Sequence, residues 1–313
     1  MGSDAHLIVV GGDPSLADHA MQRIEDLEQR WSRFRPGSEI NELNRRAGTP
    51  VPVSADTLTI VARAIEAWRL SGGAFDPTIL GALVRAGYDR SFDELGPTAP
   101  SGHSLLGLGA ADIRIDGDSV CLPAGTGFDP GGIGKGLAAD LLTGELIAAG
   151  AEGVCVNLGG DVRVAGTAPD GGPWTVGVDH PFVSEPLVLL GLTVGAVATS
   201  TTLRRRWVTD GEARHHLIDP QTGRPSDTDL VLATVVAGEA WVAEVLAKAV
   251  LLAGAAHAFD ILGGTGAEAL AAHVAGAVQA TAGLAAFLGG APVPAVVAPP
   301  AIGVDSAGGP RTL

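Results

Sequence analysis

Five strand-like runs follow one another between residues 153 and 208, and this succession constrains the fold more than any other feature of the sequence. The runs cover residues 154–158, 162–166, 174–178, 187–194 and 204–208. Strands joined by short turns pair antiparallel, whereas two parallel strands need a long crossover connection. Helical patterns occur only at intervals among these runs. The chain is therefore predicted to be an α+β protein with mostly antiparallel sheets, not a doubly wound parallel sheet.

The remaining elements complete one predicted domain that spans residues 1–289. Helices are expected at residues 14–34, 54–70, 136–150, 239–253 and 256–263. Further strands are expected at residues 6–10, 113–122, 229–237, 268–274 and 277–281. A polar loop is expected at residues 32–44 and a turn-rich segment at residues 91–112. Residues 290–313 are rich in Pro, Ala and Gly, which predicts a disordered tail.

Composition excludes several classes of partner. The net charge is −15, so no cationic face for nucleic acid or for an anionic membrane is expected. No uninterrupted apolar run reaches the roughly 20 residues that cross a bilayer. The first residues have neither a basic start nor a long apolar segment, which favours a cytoplasmic protein without an export signal. Cys121 and Cys155 lie in apolar runs and are expected to be buried, unreactive thiols.

The segment DPGGIGKG at residues 129–136 is the strongest candidate for a ligand site. It contains Lys135, and Lys248 is the only other lysine among the 20 Lys and Arg residues. A lysine among glycines indicates a place where a compact ammonium fits and a broad guanidinium does not. Glycines also expose N–H groups that can hold phosphate next to the positive end of a helix. The spacing is neither a P-loop nor a dinucleotide fingerprint, so a glycine-rich turn that only starts a helix is an equally good interpretation.

Two later segments also combine turn chemistry with reactive side chains. Gly159, Gly160 and Asp161 follow a strand, and the carboxylate either accepts from ribose hydroxyls or caps a hairpin turn. In HHLIDPQTG, at residues 215–223, His216 or Asp219 is a candidate general base. A structural histidine in a turn is the alternative.

Other polar residues have both a functional and a structural interpretation. Glu244 and Lys248 lie four residues apart on a helix that is apolar almost all round. Such a helix is expected to be buried, and buried charges either pair with each other or serve a site. Considered alone, the loop residues Asn41, Asn44 and Asp76 are best explained by hydrogen bonds to their own backbone.

Taken in order, these segments resemble the ApbE family, the FAD:protein FMN transferases. The shared pattern is MGS at 1–3, SRFRPGSEINELN at 32–44, GAFDPT at 73–78, GGIGKGLAAD at 131–140, VNLGGDVRVAG at 156–166, ATS at 198–200, HHLIDPQTG at 215–223 and AEVLAKA at 243–249. The resemblance implies an α+β fold that binds FAD in a cleft between two halves. It also implies transfer of FMN, through its phosphate, to Thr or Ser of an acceptor protein with release of AMP. A Mg²⁺ ion is implied as a further requirement.

The resemblance assigns expected roles to individual residues. Contacts with FAD are implied for Ser38, Glu39, Asn41, Asn44, Phe75, Asp76, Thr78, Gly132, Ile133, Lys135, Gly159, Gly160, Asp161, Thr199, Ser200 and His216. Catalytic roles are predicted for Lys135, His216, Asp219 and Lys248. Mg²⁺ ligands are implied at Glu244 and at a backbone carbonyl near Ile133 or Gly134.

The chain departs from the family pattern at two places. Thr201 stands where the family commonly has a glycine after Thr-Ser. Glu244 and Lys248 stand where the family commonly places an Asp and then a Thr as metal ligands. Because a protonated lysine cannot ligate Mg²⁺, we hypothesise that the Lys248 ammonium replaces part of the metal's role by clamping phosphate. The alternatives to a transferase are an FAD pyrophosphatase that yields FMN and AMP, and a non-catalytic FAD-binding protein.

Overall fold

A computed structural model describes residues 4–96, 98 and 109–289 of the chain. The α-helices are α1 (Leu16–Trp31), α2 (Glu39–Arg45), α3 (Ala55–Leu70), α4 (Leu80–Arg85), α5 (Gly134–Ala148) and α6 (Ala240–Ala253). The first eight strands are β1 (Ala5–Val10), β2 (Val51–Pro52), β3 (Arg114–Asp116), β4 (Ser119–Cys121), β5 (Gly153–Leu158), β6 (Asp161–Gly166), β7 (Trp174–Asp179) and β8 (Pro186–Leu192). The others are β9 (Gly195–Thr201), β10 (Arg206–Thr209), β11 (Glu212–His215), β12 (Ile218–Asp219), β13 (Arg224–Pro225), β14 (Leu230–Ala237), β15 (Glu268–His273) and β16 (Val278–Ala280). The tail expected at residues 290–313 lies outside the described residues.

A seven-stranded sheet lies at the centre of this structure, with its strands in the order β1-β5-β6-β9-β14-β15-β16. Every neighbouring pair in it is antiparallel. A smaller sheet has the order β2-β4-β3, and β7-β8, β10-β11 and β12-β13 form two-stranded pairs. The predicted α+β class with mostly antiparallel sheets is confirmed.

Strand β14 shows how the central sheet joins two cores. All eight of its residues are buried, which requires cover on both faces because successive side chains point to opposite sides. Val235 belongs to the core that also contains residues of α1, α3, α5 and α6. Val236 belongs to a second core that contains residues of β7 and β8. The helices therefore cover one face of the sheet, and the β7-β8 hairpin covers the other.

Helices α5 and α6 approach each other closely at Gly136. A Cβ atom at this position would overlap the carbonyl group of Ala240, so the contact requires glycine. Asp140 in α5 accepts hydrogen bonds from the N–H groups of Ala240 and Trp241, each at 2.9 Å. These bonds satisfy two of the free donors at the start of α6. The result is a fixed crossing that places the first turn of α5 against the side of α6.

The structure corrects three expectations about secondary structure. Part of the predicted loop at 32–44 is helix α2, because the Ser38 hydroxyl accepts from the Asn41 N–H and caps the helix. No helix was expected at residues 80–85, where α4 starts without a side-chain cap. The predicted helix at 256–263 consists of turns and a short 3₁₀ helix at Asp260–Leu262. So short a segment gains little from helix propagation.

The two cysteines are less buried than expected. Cys121 and Cys155 are free thiols, half-buried rather than fully buried. Burial raises the pKa of Cys155 to about 11, which keeps the reactive thiolate scarce at neutral pH. Among the described helices, none has both the length and the apolar character needed to cross a membrane.

Candidate active site

Two cavities meet beside the glycine-rich segment. The first, here called the apolar cavity, has walls that include Trp31, Phe34, Phe75, Leu83, Tyr88 and Ile218. The second, the polar cavity, has walls that include Gly159, Gly160, Asp161, Thr199, Ser200 and Thr201. The residues that line both cavities are Gly131, Lys135, Arg205, His216 and Lys248, and they define the junction. The site thus connects an apolar compartment to a polar one through a junction rich in cations.

Lys135 is held at the junction by two carboxylates. It lies in the first turn of α5, and its Nζ atom is 2.6 Å from Asp161 Oδ2 and 2.5 Å from Glu244 Oε1. Burial opposes the charge on this side chain, but attraction to both carboxylates outweighs burial and raises the pKa of Lys135. Lys135 is therefore a fixed cation at neutral pH, and its charge is balanced by its two partners.

Glu244 and Asp161 respond differently to the same surroundings. The Glu244 side chain is only 3% exposed, and its Oε2 atom accepts from the Gly136 N–H at 2.8 Å. Burial acts to raise the pKa of Glu244, but Lys135 and Lys248 hold it below its ordinary value. Burial raises the pKa of Asp161 despite the attraction of Lys135, and the charge of Glu244 adds to the rise. Of the two carboxylates, Asp161 takes up a proton more readily.

Lys248 is the second ammonium of the junction, one helical turn beyond Glu244. Its Nζ atom donates to the Gly132 carbonyl at 3.2 Å. Among the residues that the structure describes, no carboxylate lies within ion-pairing distance of Lys248, in contrast to Lys135. Burial lowers the pKa of Lys248, while the charge of Glu244 acts in the opposite direction. The two lysines therefore share one junction but have different partners.

His216 lines both cavities, whereas the neighbouring His215 bonds to the backbone of Ser226. The Nδ1 atom of His216 is buried and has no hydrogen-bond partner in the described part of the chain. Burial, followed by the charge of Lys248, holds the pKa of His216 well below its ordinary value. The imidazole is therefore neutral at pH 7, which is the protonation state that a general base requires.

Asp219, the other candidate base, lies outside the linings of both cavities. Its carboxylate accepts from the Gln221 N–H at 2.9 Å, and its carbonyl accepts from the Gly223 N–H at 2.8 Å. These bonds stabilise the DPQTG turn. The position of Asp219 supports a structural role in that turn and gives no support to a role as the base.

Comparison with known proteins identifies the family. The model of the ApbE family matches residues 1–271. This chain belongs to the ApbE family. The FAD:protein FMN transferase of Vibrio cholerae is 30% identical over 238 residues, which cover 74% of this chain and 71% of that protein. The FAD:protein FMN transferase of Treponema pallidum is 31% identical over 257 residues, which cover 74% of this chain and 69% of that protein.

Solved ApbE structures share the fold. The ApbE protein from Thermotoga maritima matches with a TM-score of 0.82 and 26% identity, over 92% of this chain and 96% of that one. The apo form of the flavinyl transferase ApbE from Pseudomonas stutzeri matches with a TM-score of 0.79 and 26% identity, over 94% and 95% of the two chains. The resemblance to the ApbE family and the ApbE-like fold are confirmed.

The ApbE loop before and within α2 supports the site without lining it. The Asn41 amide donates to the Arg33 carbonyl at 2.9 Å, and the Asn44 amide donates to the Phe128 carbonyl at 2.9 Å. These bonds fix two chain segments that lead into the apolar cavity. Four side chains of this loop were expected to contact FAD, and none of them lines either cavity: Ser38, Glu39, Asn41 and Asn44. Their hydrogen bonds favour positioning of the neighbouring segments.

The ApbE element GAFDPT contributes one wall of the apolar cavity. Phe75 and Asp76 line this cavity. Thr78 is buried behind them, and its N–H donates to Asp76 Oδ1 at 2.7 Å. The Thr78 hydroxyl accepts from the Gly109 N–H at 2.9 Å. Thr78 therefore orients the Asp76 carboxylate from behind the cavity wall.

Sequence reasoning missed a buried ion pair at the edge of the apolar cavity. Arg33 Nε lies 2.9 Å from Asp129 Oδ2, and both side chains are 7% exposed. The guanidinium also stacks 4.1 Å from the ring centroid of Phe34 and 4.5 Å from that of Tyr88. Asp129 additionally accepts from the Gly131 N–H at 2.6 Å. Arg33 lies inside an ApbE motif and Asp129 lies next to one, and these positions were the sign in the sequence that the two residues belong near the site.

The junction does not fit a Mg²⁺ ion. Mg²⁺ demands a near-octahedral set of oxygen ligands. Lys135 and the Gly136 N–H each engage one oxygen of Glu244, and Lys248 engages the Gly132 carbonyl. Within the ranges that the structure describes, no cluster of three or more His, Cys, Asp or Glu side chains is suited to a metal ion. The resemblance implied a carbonyl ligand near Ile133 or Gly134. Gly134 lines the apolar cavity, and the side chain of Ile133 lies in the core.

Proposed function

We propose that this protein is an FAD:protein FMN transferase. It cleaves the pyrophosphate of FAD, attaches FMN through a phosphoester to Thr or Ser of an acceptor protein, and releases AMP. The observation that carries the proposal is the position of Lys135 and Lys248 at the junction of an apolar and a polar cavity. The relatives from Vibrio cholerae and Treponema pallidum are named FAD:protein FMN transferases, which supports the same conclusion.

The chemistry of FAD matches the three parts of the site. A flat ring system suits the aromatic walls around Phe75 and Tyr88. Ribose or ribityl hydroxyls suit the polar cavity, where Asp161 and Ser200 offer acceptors. The pyrophosphate links these parts of FAD and falls at the junction, beside the ammonium groups and the glycine backbone.

The proposed reaction exchanges one phosphorus–oxygen bond and moves one proton. The acceptor hydroxyl oxygen bonds to the phosphorus of the FMN moiety while the bond from that phosphorus to the bridging oxygen breaks. AMP leaves with the bridging oxygen. His216, which lines both cavities, takes the hydroxyl proton at a ring nitrogen of its neutral imidazole. Lys135 and Lys248 stabilise the negative charge on the phosphate oxygens during the exchange.

Incubation with FAD and a candidate acceptor tests the proposal. Intact-mass spectrometry of the acceptor is expected to show an added FMN phosphoester, with an equimolar amount of AMP released. An acceptor whose target Thr or Ser is replaced by Ala is the matched control and should remain unmodified. Free FMN and AMP without an adduct would identify a pyrophosphatase, and intact FAD would identify a binding protein, so either result overturns the transferase.

A further inference from the structure

We propose that Lys248 holds the FAD pyrophosphate in place of a divalent cation, so that this chain binds FAD without Mg²⁺. The inference rests on the proposed FAD chemistry of the site. It follows from the groups present at the junction, which do not fit a Mg²⁺ ion. There the Lys248 ammonium engages the Gly132 carbonyl.

The partners of the two lysines separate their roles. Lys135 is bound by Asp161 and Glu244, so its charge is balanced before any ligand arrives. Lys248 donates to a neutral carbonyl and has no carboxylate within ion-pairing distance among the described residues. An ammonium has three N–H donors, and Gly132 takes one of those on Lys248. The two remaining donors serve an anion that enters either cavity.

The surrounding structure makes room for the Lys248 side chain. A Cβ atom at Gly132 would lie 3.0 Å from Lys248 Cε and 2.8 Å from a ring carbon of Phe75. Glycine at this position therefore leaves room for the aliphatic stem of Lys248 beside the glycine-rich segment and the ring of Phe75. The stem arises from α6, where Ala247 and Ala249 are buried in the protein. A cation carried on a buried helix is positioned before the ligand binds.

A metal ion and the Lys248 ammonium compete for the same place. The Gly132 carbonyl that accepts from Lys248 is no longer a free oxygen ligand. Glu244 lies one turn away, and its oxygens are bonded to Lys135 and to the Gly136 N–H. A divalent cation in this cluster would meet two like charges and few unengaged oxygens. The ammonium is instead part of the chain, so no chelator can remove it.

FAD binding by the full chain, followed by quenching of flavin fluorescence, tests the inference. The Kd for FAD is expected to agree within about twofold between excess EDTA and millimolar MgCl₂. Lys248→Met, which keeps the length of the stem and removes the charge, is expected to weaken binding about tenfold or more in both buffers. Arg69→Met removes an exposed cation outside both cavities and should leave the Kd unchanged. Electron paramagnetic resonance with Mn²⁺ alone is expected to show no tightly bound ion.

The outcomes distinguish this inference from the proposed function. FAD binding that requires Mg²⁺, together with a bound Mn²⁺ signal, overturns the role of Lys248 and leaves the transferase proposal intact. An unchanged Kd for a folded Lys248→Met variant also overturns it. No FAD binding by the wild-type chain in either buffer overturns both. The wild-type comparison needs no variant, so the test stands even where Lys248→Met does not fold.

Discussion

The ammonium of Lys135 lies 2.5 Å from a carboxylate oxygen of Glu244, although the two residues are 109 positions apart in the chain. The second oxygen of Glu244 accepts from the Gly136 N–H at 2.8 Å. One side chain of α6 therefore fixes both a cation and the backbone at the start of α5. The junction is assembled by helix packing, and its geometry depends on the contact between these two helices.

Glu244→Gln is expected to lower the free energy of unfolding by about 2 kcal/mol, because the half-buried Lys135 loses one of its two anionic partners. The new amide oxygen can still accept from the Gly136 N–H, so the loss reports mainly on the charge. Urea unfolding measures it. The exposed Glu185→Gln is the control and should change stability by less than about 0.5 kcal/mol. A loss no larger than that of the control would contradict the structural role of the ion pair.

Gly136→Ala is expected to destabilise the protein by about 2 kcal/mol, because the added methyl group would overlap the Ala240 carbonyl and push α5 away from α6. Gly144→Ala on the same helix is the matched control. No neighbouring atom lies near a Cβ at Gly144, so the better helix former should stabilise the protein by about 1 kcal/mol. Urea unfolding of both variants should show opposite signs. Equal effects would mean that the helices do not meet at Gly136.

Local patterns were sufficient to predict much of the fold. The strand runs at 154–158 and 162–166 correspond to β5 and β6, because alternation and the Gly159-Gly160 turn are both encoded locally. Catalytic roles were predicted for both Lys135 and Lys248, since each lysine was unusual in its own segment, and the structure brings the two side chains to one junction. The ApbE resemblance then implied that these segments meet at one FAD-binding cleft.

Tertiary partners could not be read from the sequence in the same way. The pairing of Arg33 with Asp129, and of Lys135 with both Asp161 and Glu244, depends on how distant elements pack. Hydrogen-bonding residues within a motif posed a related problem. The resemblance implied contacts with FAD for the α2 loop, whereas its side chains bond to neighbouring backbone and to Ser54. A motif alone does not distinguish a ligand contact from a residue that supports one.

Arg33→Lys is expected to lower the free energy of unfolding by about 2 kcal/mol, because lysine lacks the planar group that stacks on Phe34 and Tyr88 while pairing with Asp129. Thermal unfolding measures the change. Arg35→Lys, in a largely solvated pair with Glu25, is the control and should cost less than about 1 kcal/mol. Similar losses in the two variants would indicate that stacking contributes nothing measurable.

His216→Gln is expected to lower kcat about 100-fold or more while the Kd for FAD changes little, because the variant loses the group that takes the hydroxyl proton.

The same histidine should make the stability of the protein depend on pH. Its folded-state pKa is depressed by burial and by Lys248, so its unfolded form binds protons more readily. The contribution to stability is fully present above the unfolded pKa of about 6.5 and is lost as the pH falls toward the folded value.

Urea unfolding between pH 7 and pH 5 separates this effect from those of other groups. The stability of the wild-type chain should fall relative to that of His216→Gln as the pH decreases, because the variant carries no proton at this position. His257→Gln is the control, since that side chain is 74% exposed and lies outside both cavities. It should follow the wild-type profile. Parallel profiles for the wild-type chain and His216→Gln would show that His216 is not buried as a neutral imidazole, and the base would then have to be sought elsewhere at the junction.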